Sequence, residues 1–452
     1  MPDDIYAASR PGSARLFKQA LNLFPSGVTH DVRAGLPVPL YITRASGSRK
    51  WDVDGNEYVD YWMGHGALLL GHSHPHVVQA VCEQMAKGTH YGACHELELA
   101  WAGLVQRLIP SAERIRFVAS GTEAVLMATR LACGYTGKRR ILKFHGHFHG
   151  WQDYFTVGVI PPYDVPISVG VQPDVAASVI SLPANDIALV ERVLGQDGDV
   201  AAVILEPTGA SYGKVPLREG FLRDLREVTA RLGVLLIFDE VVTAFRISPG
   251  GAQSLYGVLP DITTLAKVLA GGLPGGAVVG RKDIMELLAF SFDGQRNRFG
   301  RIAHPGTFNA NPVSAAAGVA ALGIVAEGDV HHHVDRIGTI LKAALNDAIA
   351  RLGLPGACVY GEGSVLHFLL GSGCQRSPAC DFVACNYDPD RLKMGIASKA
   401  KRPFAFAMQR HGVDLMGGHA AFISAAHSEA DVDHTVQAFE TTLRQLTHDG
   451  VL

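Results

Sequence analysis

Three short stretches of this chain carry side chains whose types and setting could do chemistry. The first is Ser120-Gly121-Thr122-Glu123, between the strand-like RIRFVA and the helical stretch AVLMATRLA. A helix starting there presents unpaired N–H groups and the positive end of its dipole, which suits a phosphate. The same tetrapeptide also fits a plain capping box, Ser120 with Glu123, that needs no ligand. The second is Asp239, which follows the apolar run VLLIF and precedes Glu240. At the carboxyl end of a parallel strand it stands where open α/β sheets bind ligands, although a strand-end aspartate can equally cap a turn or hold a metal. The third is Lys267, at the end of the strand-like DITTLA and ahead of a glycine-rich run. Partial desolvation in such an apolar setting lowers an amine's pKa and makes it nucleophilic.

Each part alone is weak, but the combination is specific. A phosphate-binding helix start, a strand-end carboxylate and a buried lysine are the parts that pyridoxal 5′-phosphate requires. The amine forms the Schiff base, the phosphate is anchored at the helix start, and the carboxylate keeps the pyridine nitrogen protonated so that the ring accepts electrons.

Over nearly its full length the sequence resembles the class III aminotransferases of fold type I. The resemblance is carried by FPSGVTHDVRA (24–34), WDVDGNEYVDY (51–61), LGHSHP (70–75), SGTEA (120–124), KFHGHFHGW (143–151), ILEP (204–207), IFDEVVTAFR (237–246), PDITTLAKVLAGGLPGGAVVG (260–280) and GTFNANP (306–312). Within the class it resembles the glutamate-1-semialdehyde aminomutase branch. It is more similar still to the D-phenylglycine aminotransferases, through GHGALLLGHSHP (64–75), GHFHGWQDY (146–154) and HGVDLMGGHAAFISAAH (411–427).

The resemblance implies a role for each matching position. Lys267 is the Schiff-base lysine and Asp239 the partner of the pyridine nitrogen. Ser120, Gly121 and Thr122 bind the phosphate, with Thr307 arriving from the neighbouring subunit of a homodimer that shares its active sites. Phe148 takes the place of the stacking ring, with His149 beside it among the cofactor residues, and Val241 packs on the opposite side. Glu206 orders polar groups near the ring hydroxyl. Arg33 matches the arginine that grips the substrate carboxylate, a task suited to a planar guanidinium, although a surface arginine in a loop has the same sequence appearance.

Two positions depart from the branch. The aminomutases usually carry an aromatic residue at the place of His65 and an acidic one near His419, so both histidines are expected at the substrate. His65 also fits a simple turn between Gly64 and Gly66. The implied activity is transfer of an amino group from an amino acid, glutamate being the expected donor, to a 2-oxo acid. An aryl 2-oxo acid giving a D-amino acid such as D-phenylglycine follows from the closer resemblance. The alternative is an intramolecular shift of the glutamate-1-semialdehyde 2,1-aminomutase type.

These side chains need a frame, and the middle of the chain supplies an α/β pattern. Strands are expected at Arg114–Val118, Arg140–Phe144, Val200–Leu205, Val234–Phe238, Ile262–Leu265 and Ala277–Gly280, with helical stretches such as Ala124–Cys133 and Glu219–Leu232 between them. That alternation predicts a mostly parallel, helix-covered sheet, and the resemblance implies seven strands. We place an N-terminal segment at 1–60, a large cofactor-binding domain at 61–325 and a smaller α+β domain at 326–452, ending in a helix from Glu429 to Leu446.

With 452 residues the chain exceeds one average domain of ~150 residues several-fold. Charged residues make up 18%, below the ~25% typical of globular chains, which suggests surface covered by another subunit. A net charge of −3 offers no general attraction for nucleic acid or anionic lipid. The opening MPDDIYAASR does not read as a secretory signal, and the uncharged stretch Asn311–Ala326 is too short and too rich in Ala and Gly for a membrane span. Seven cysteines, an odd number without regular spacing, point to a reduced compartment and the cytoplasm. Cys374, Cys380 and Cys385 read as part of a variable loop. His145, His147 and His149 alternate, as do His72, His74 and His76, and His331–His333 are consecutive. Alternation could place ligands on one face of a strand, but these runs lack a matching carboxylate cluster and no metal site is expected.

Overall fold

The computed structural model describes residues 6–35, 37–374 and 388–452. Among them the chain divides into two compact units, one from Pro75 to His331 and the other joining the chain up to His74 with the chain from His332 onward.

The unit from Pro75 to His331 is built on a seven-stranded sheet. Its strands in chain order are β1 Arg114–Val118, β2 Arg140–Phe144, β3 Val179–Leu182, β4 Val200–Leu205, β5 Leu235–Asp239, β6 Ile262–Ala266 and β7 Gly276–Gly280. Their spatial order is β1-β7-β6-β5-β4-β2-β3. All neighbours run parallel except β7, which is antiparallel to both β6 and β1. The central strands are apolar throughout because both faces are covered. Ala202 and Ile204 of β4 and Leu235 and Ile237 of β5 pack with Val125, Ala128 and Leu131 of the helix Gly121–Thr136. The alternate residues Val203, Leu205, Leu236 and Phe238 pack on the other face with Val190, Phe221 and Leu225 of the helices Ile187–Gln196 and Phe221–Arg231. The period of two sends successive side chains to opposite cores, so near-continuous apolar runs result.

Register brings three strand ends to one rim. Asp239 of β5 lies opposite Thr264 of β6, Ala266 of β6 opposite Gly276 of β7, and Gly276 opposite Val118 of β1. The segments after β1, β5 and β6, which begin the three chemical stretches, therefore leave the sheet at the same side.

The other unit holds a four-stranded sheet of Ile42–Ser46, Arg49–Asp52, Glu57–Asp60 and Val413–Asp414, and a three-stranded sheet of Gly356–Glu362, Val365–Cys374 and Ala420–Phe422. Its helices include Ser398–Arg410 and Glu429–His448. The division at His74 lies beyond the expected one at residue 60, and hydrogen bonds explain why. Phe422 N–H donates to Tyr61 O at 2.9 Å, Ala425 N–H to Leu69 O at 2.8 Å, and His72 N–H to Gly47 O at 2.8 Å. Residues 61–74 are thus tied to the strands of this unit. Cys380 and Cys385 lie outside the described residues. Among the described residues no single helix is long and apolar enough to cross a membrane.

Candidate active site

The rim of the seven-stranded sheet collects the three chemical stretches. After β1, Ser120 adopts an extended conformation and caps the helix Gly121–Thr136, its Oγ accepting from Glu123 N–H at 3.2 Å. The Glu123 carboxylate accepts from Ala119 N–H at 2.6 Å rather than from the cap residue itself, so the capping box is displaced by one residue. The first-turn N–H groups of Gly121 and Thr122 have no carbonyl within the helix to bond, as at any helix start. Glycine at 121 is dictated by packing, since a Cβ there would stand 3.0 Å from both Val241 methyl groups. Val241 thus closes directly on the helix start.

The loop after β2 crosses the same place. Gly150 has φ +86°, and a Cβ on it would meet Thr122 Oγ1 at 2.6 Å, so the backbone of this loop lies against the helix start. Two residues back, Phe148 is 51% exposed. Its N–H donates to Glu206 Oε1 at 2.9 Å, and the Glu206 carboxylate also accepts from the N–H groups of Ser211 at 2.9 Å and Tyr212 at 2.7 Å. Glu206 thereby clamps two loops by their backbones.

Asp239 is buried, and Oδ2 stands 2.7 Å from His149 Nδ1 while Oδ1 accepts from Val241 N–H and Thr264 Oγ1, each at 3.1 Å. His149 is fully buried, and among the described residues its Nε2 has no hydrogen-bond partner. The neighbouring Glu240 turns the other way, into a buried nest formed by Ala252 N–H, Gln253 and Thr243, where burial raises its carboxyl pKa. Of the two adjacent acids only Asp239 faces the rim.

Lys267 follows β6 directly and opens a single 3₁₀ turn with φ +54°, a conformation that a non-glycine residue rarely holds. Desolvation lowers its amine to about 8; Asp239 and Glu206 oppose that shift and buried Arg246 adds to it. The neutral amine is then a minority near physiological pH, though a far larger one than for an ordinary lysine. Thr307 is exposed in a turn of the same unit, its carbonyl bonded to His90 Nε2 at 2.7 Å.

The alternating histidines serve separate ends. His145 stacks on Tyr163 at 4.1 Å, His147 Nδ1 accepts from Glu206 N–H at 3.0 Å, and His149 pairs with Asp239. Among the described residues no group of three or more His, Cys, Asp or Glu side chains is placed to hold a metal ion.

Arg33, His65 and His419 belong to the other unit. Arg33 is exposed in a 3₁₀ turn, Asp31–Arg33, and its Nη1 donates to Thr29 Oγ1 at 3.1 Å. His65 lies in a turn where Met63, Gly64, His65 and Gly66 have φ of 41°, 59°, 59° and 83°. That run is left-handed, at a cost on the order of 1–2 kcal/mol for each residue bearing a Cβ. The His65 ring meets His30 and Trp62, both at 5.2 Å between centroids. His419 sits in the turn leading into Ala420–Phe422, its carbonyl bonded to Phe368 N–H at 3.0 Å.

Sequence reasoning missed Thr264 as a partner of Asp239 and His30 as a neighbour of His65. The only signals were a threonine in an apolar strand and a histidine in the segment that carries Arg33.

A rim with free helix-start amides, a buried strand-end carboxylate and a desolvated lysine defines a pyridoxal-phosphate enzyme. Residues 32–356 match the family model described as aminotransferase class-III, and the chain belongs to that family. A glutamate-1-semialdehyde 2,1-aminomutase of Thermodesulfovibrio yellowstonii is 38% identical over 445 residues, covering 96% of this chain and 99% of the relative. Among solved structures, an omega-transaminase from Sphaerobacter thermophilus matches with a TM-score of 0.85 and 33% identity over 97% of this chain and 99% of that one. A glutamate-1-semialdehyde aminomutase from Pseudomonas aeruginosa matches with a TM-score of 0.86 and 26% identity, covering 98% and 97%; a variant of it is solved in complex with PMP. The fold is that of the fold type I transaminases, and the cofactor is pyridoxal 5′-phosphate.

Proposed function

We propose that this enzyme transfers an amino group between two molecules, from an amino acid such as glutamate to a 2-oxo acid. The observation that carries amino transfer is the desolvated amine of Lys267 on the same rim as the Asp239–His149 pair. The residues fit the cofactor by the chemistry of their donors: first-turn amides of Gly121 and Thr122 with Ser120 for the phosphate, and Asp239 for the pyridine nitrogen. When bound, pyridoxal 5′-phosphate supplies an aldehyde and a ring that takes up an electron pair. Lys267 would hold the cofactor through its amine and, as general base, would move the proton at the substrate Cα. Asp239 keeps the proton on the ring nitrogen, and His149 keeps Asp239 aimed. Phe148 and Val241 would flank the ring, Glu206 fixes the Phe148 backbone, and Arg33 would bind the substrate carboxylate.

A homodimer in the cytoplasm is part of the same reading, with Thr307 reaching the partner's phosphate. Phe290, Phe292, Phe299 and Phe308 are exposed apolar side chains, of the kind that a second copy would cover. The free thiols Cys82, Cys94, Cys133 and Cys358 suit a reduced compartment.

The intramolecular reading has its own support, since the 38% identical relative named above is an aminomutase, a likeness that favours it over transfer between molecules. Against it stand the departures at His65 and His419. An aryl acceptor and a D-amino acid product rest on the sequence resemblance alone. One experiment separates the two readings. Holoenzyme given glutamate and a panel of 2-oxo acids should show ping-pong kinetics, with two half-reactions demonstrable singly. Isomerisation of glutamate-1-semialdehyde without a second substrate, together with no transfer to any oxo acid, would overturn our reading.

A further inference from the structure

We propose that Lys143 is a positioning residue of the cofactor site. Its buried ammonium and the Glu206 carboxylate hold the two ends of one peptide group, that between His147 and Phe148, and so aim the Phe148 ring at the cofactor. The inference deepens the reading of Phe148 as a residue that flanks the ring and rests on it. It is independent of whether the amino group moves between molecules or within one.

Lys143 stands near the end of β2. The period of two puts it on the same face as Ile141, which packs in the core shared with the helix Gly121–Thr136. At this fully buried place an ammonium is costly unless its donors are bonded. An apolar side chain would fill the same space, so the lysine is explained by what its Nζ bonds. Nζ donates to the His147 carbonyl at 2.9 Å and to the Val157 carbonyl at 2.8 Å, the two arms of the loop that carries Phe148. Val157 can lie so close because glycine follows it: Gly158 has φ +75°, and a Cβ there would collide with Ser181 Oγ and stand 3.5 Å from Lys143 Cε.

The His147 carbonyl and the Phe148 N–H belong to the same peptide. That N–H donates to Glu206 Oε1 at 2.9 Å, so one planar group carries an ammonium on its oxygen and a carboxylate on its nitrogen. Both bonds are charge-assisted, a kind roughly twice as strong as neutral ones, and the peptide cannot rotate without breaking one of them. The His147 ring adds a third tie, Nδ1 accepting from Glu206 N–H at 3.0 Å. Beyond Phe148, the backbone of Gly150 lies against Thr122. The Phe148 ring is 51% exposed, so neighbouring side chains do not enclose it. Its aim comes from a backbone held on both sides, and Lys143 supplies the hold at the carbonyl.

The test is a double-mutant cycle on cofactor binding. Equilibrium dialysis would give the dissociation constant of pyridoxal 5′-phosphate, and visible circular dichroism of the bound cofactor would report how its ring is surrounded. Lys143→Met keeps an unbranched side chain and removes its donors. It should weaken binding roughly threefold to tenfold, the range of one aromatic contact, and reduce the dichroism. In a Phe148→Ala background the same change should add less than about twofold. Lys143→Gln retains an amide donor and should fall between Lys143→Met and the wild type; it enters the cycle in place of Lys143→Met if that variant does not fold. Loss of equal size with and without the Phe148 ring, or unchanged binding and dichroism in a folded Lys143 variant, would overturn the proposal. Wild-type binding and dichroism in Phe148→Ala alone would instead remove the role of Phe148, and the proposal with it, so the two failures are told apart.

Discussion

Replacing Asp239 by asparagine separates charge from shape at the centre of the proposed mechanism. The native carboxylate engages three partners, His149 Nδ1 at 2.7 Å, Val241 N–H at 3.1 Å and Thr264 Oγ1 at 3.1 Å. In Asp239→Asn the amide oxygen still accepts from Val241 and Thr264. The amide NH₂ then faces His149, which can accept at Nδ1 by changing tautomer, since its Nε2 has no partner to lose among the described residues. Stability should therefore change by less than about 1 kcal/mol, the worth of one ordinary hydrogen bond. What disappears is the negative charge that holds a proton on the ring nitrogen. Exchanging a charged hydrogen bond for a neutral one forfeits about 2 kcal/mol, so kcat should fall at least roughly thirtyfold, with cofactor still bound. The same carboxylate pushes the Lys267 amine upward, so its removal should move that amine below about 8. Single-turnover rates with glutamate, cofactor occupancy by absorbance and the pH dependence of lysine labelling in the apoenzyme measure the three consequences. A variant with full occupancy and kcat within threefold of the wild type would refute the role of Asp239.

Other outcomes follow from the same geometry. Lys267→Ala should lose the visible absorbance of the lysine-bound cofactor and all turnover, which spectra and activity assays would check together. In the apoenzyme, Lys267 titrates near 8 when folded against 10.5 when unfolded, so the unfolded chain binds more protons between those values and stability rises with pH across that window. The penalty is complete below it, about 3 kcal/mol at 1.36 kcal/mol per pH unit, and Lys267→Met should recover it at pH 7 but not above about 10.5, as urea titrations at the two pH values would show. Gly121→Ala should weaken cofactor binding by crowding Val241, at about 1–3 kcal/mol, and Val241→Ala in the same chain should restore it; equilibrium dialysis of cofactor reads both. Arg33→Ala should raise KM for the amino donor about tenfold or more, as loss of a charged hydrogen bond predicts, with a smaller change in kcat.

Much of the frame was legible because apolar runs report burial on both faces of a sheet. The expected strand Val234–Phe238 is Leu235–Asp239, and Ala277–Gly280 is Gly276–Gly280; these shifts of one residue reflect strand ends that pair beyond their apolar stretch. β3, Val179–Leu182, was not among the expected strands. It is an edge strand of four residues, three of them only partly buried, so it carries too little apolar signal. The three chemical stretches could be read because each combines a reactive side chain with a strand end. Their mutual register could not, since no local pattern says that Asp239 faces Thr264 or that His149 reaches Asp239 from 90 residues away. The left-handed run at 63–66 was equally hidden. Gly64 and Gly66 hint at it, but Met63 and His65 argue locally against it, and only packing on Phe422 decides.

The rim of the large sheet also sets which kinds of sequence change the enzyme can survive. Asp239 and Lys267 owe their positions to the pairing of β5 with β6, and Ser120 owes its position to β7 bridging β6 and β1. A point substitution in the intervening loops leaves that pairing intact. Inserting or deleting one residue within β5 or β6 would turn the reactive side chain to the opposite face of the sheet. Lineages of this protein can therefore vary residue type around the rim at positions other than Ser120, Gly121, Asp239 and Lys267 but are barred from varying strand length beneath it, so tolerated length changes should fall in segments that no strand of this sheet includes.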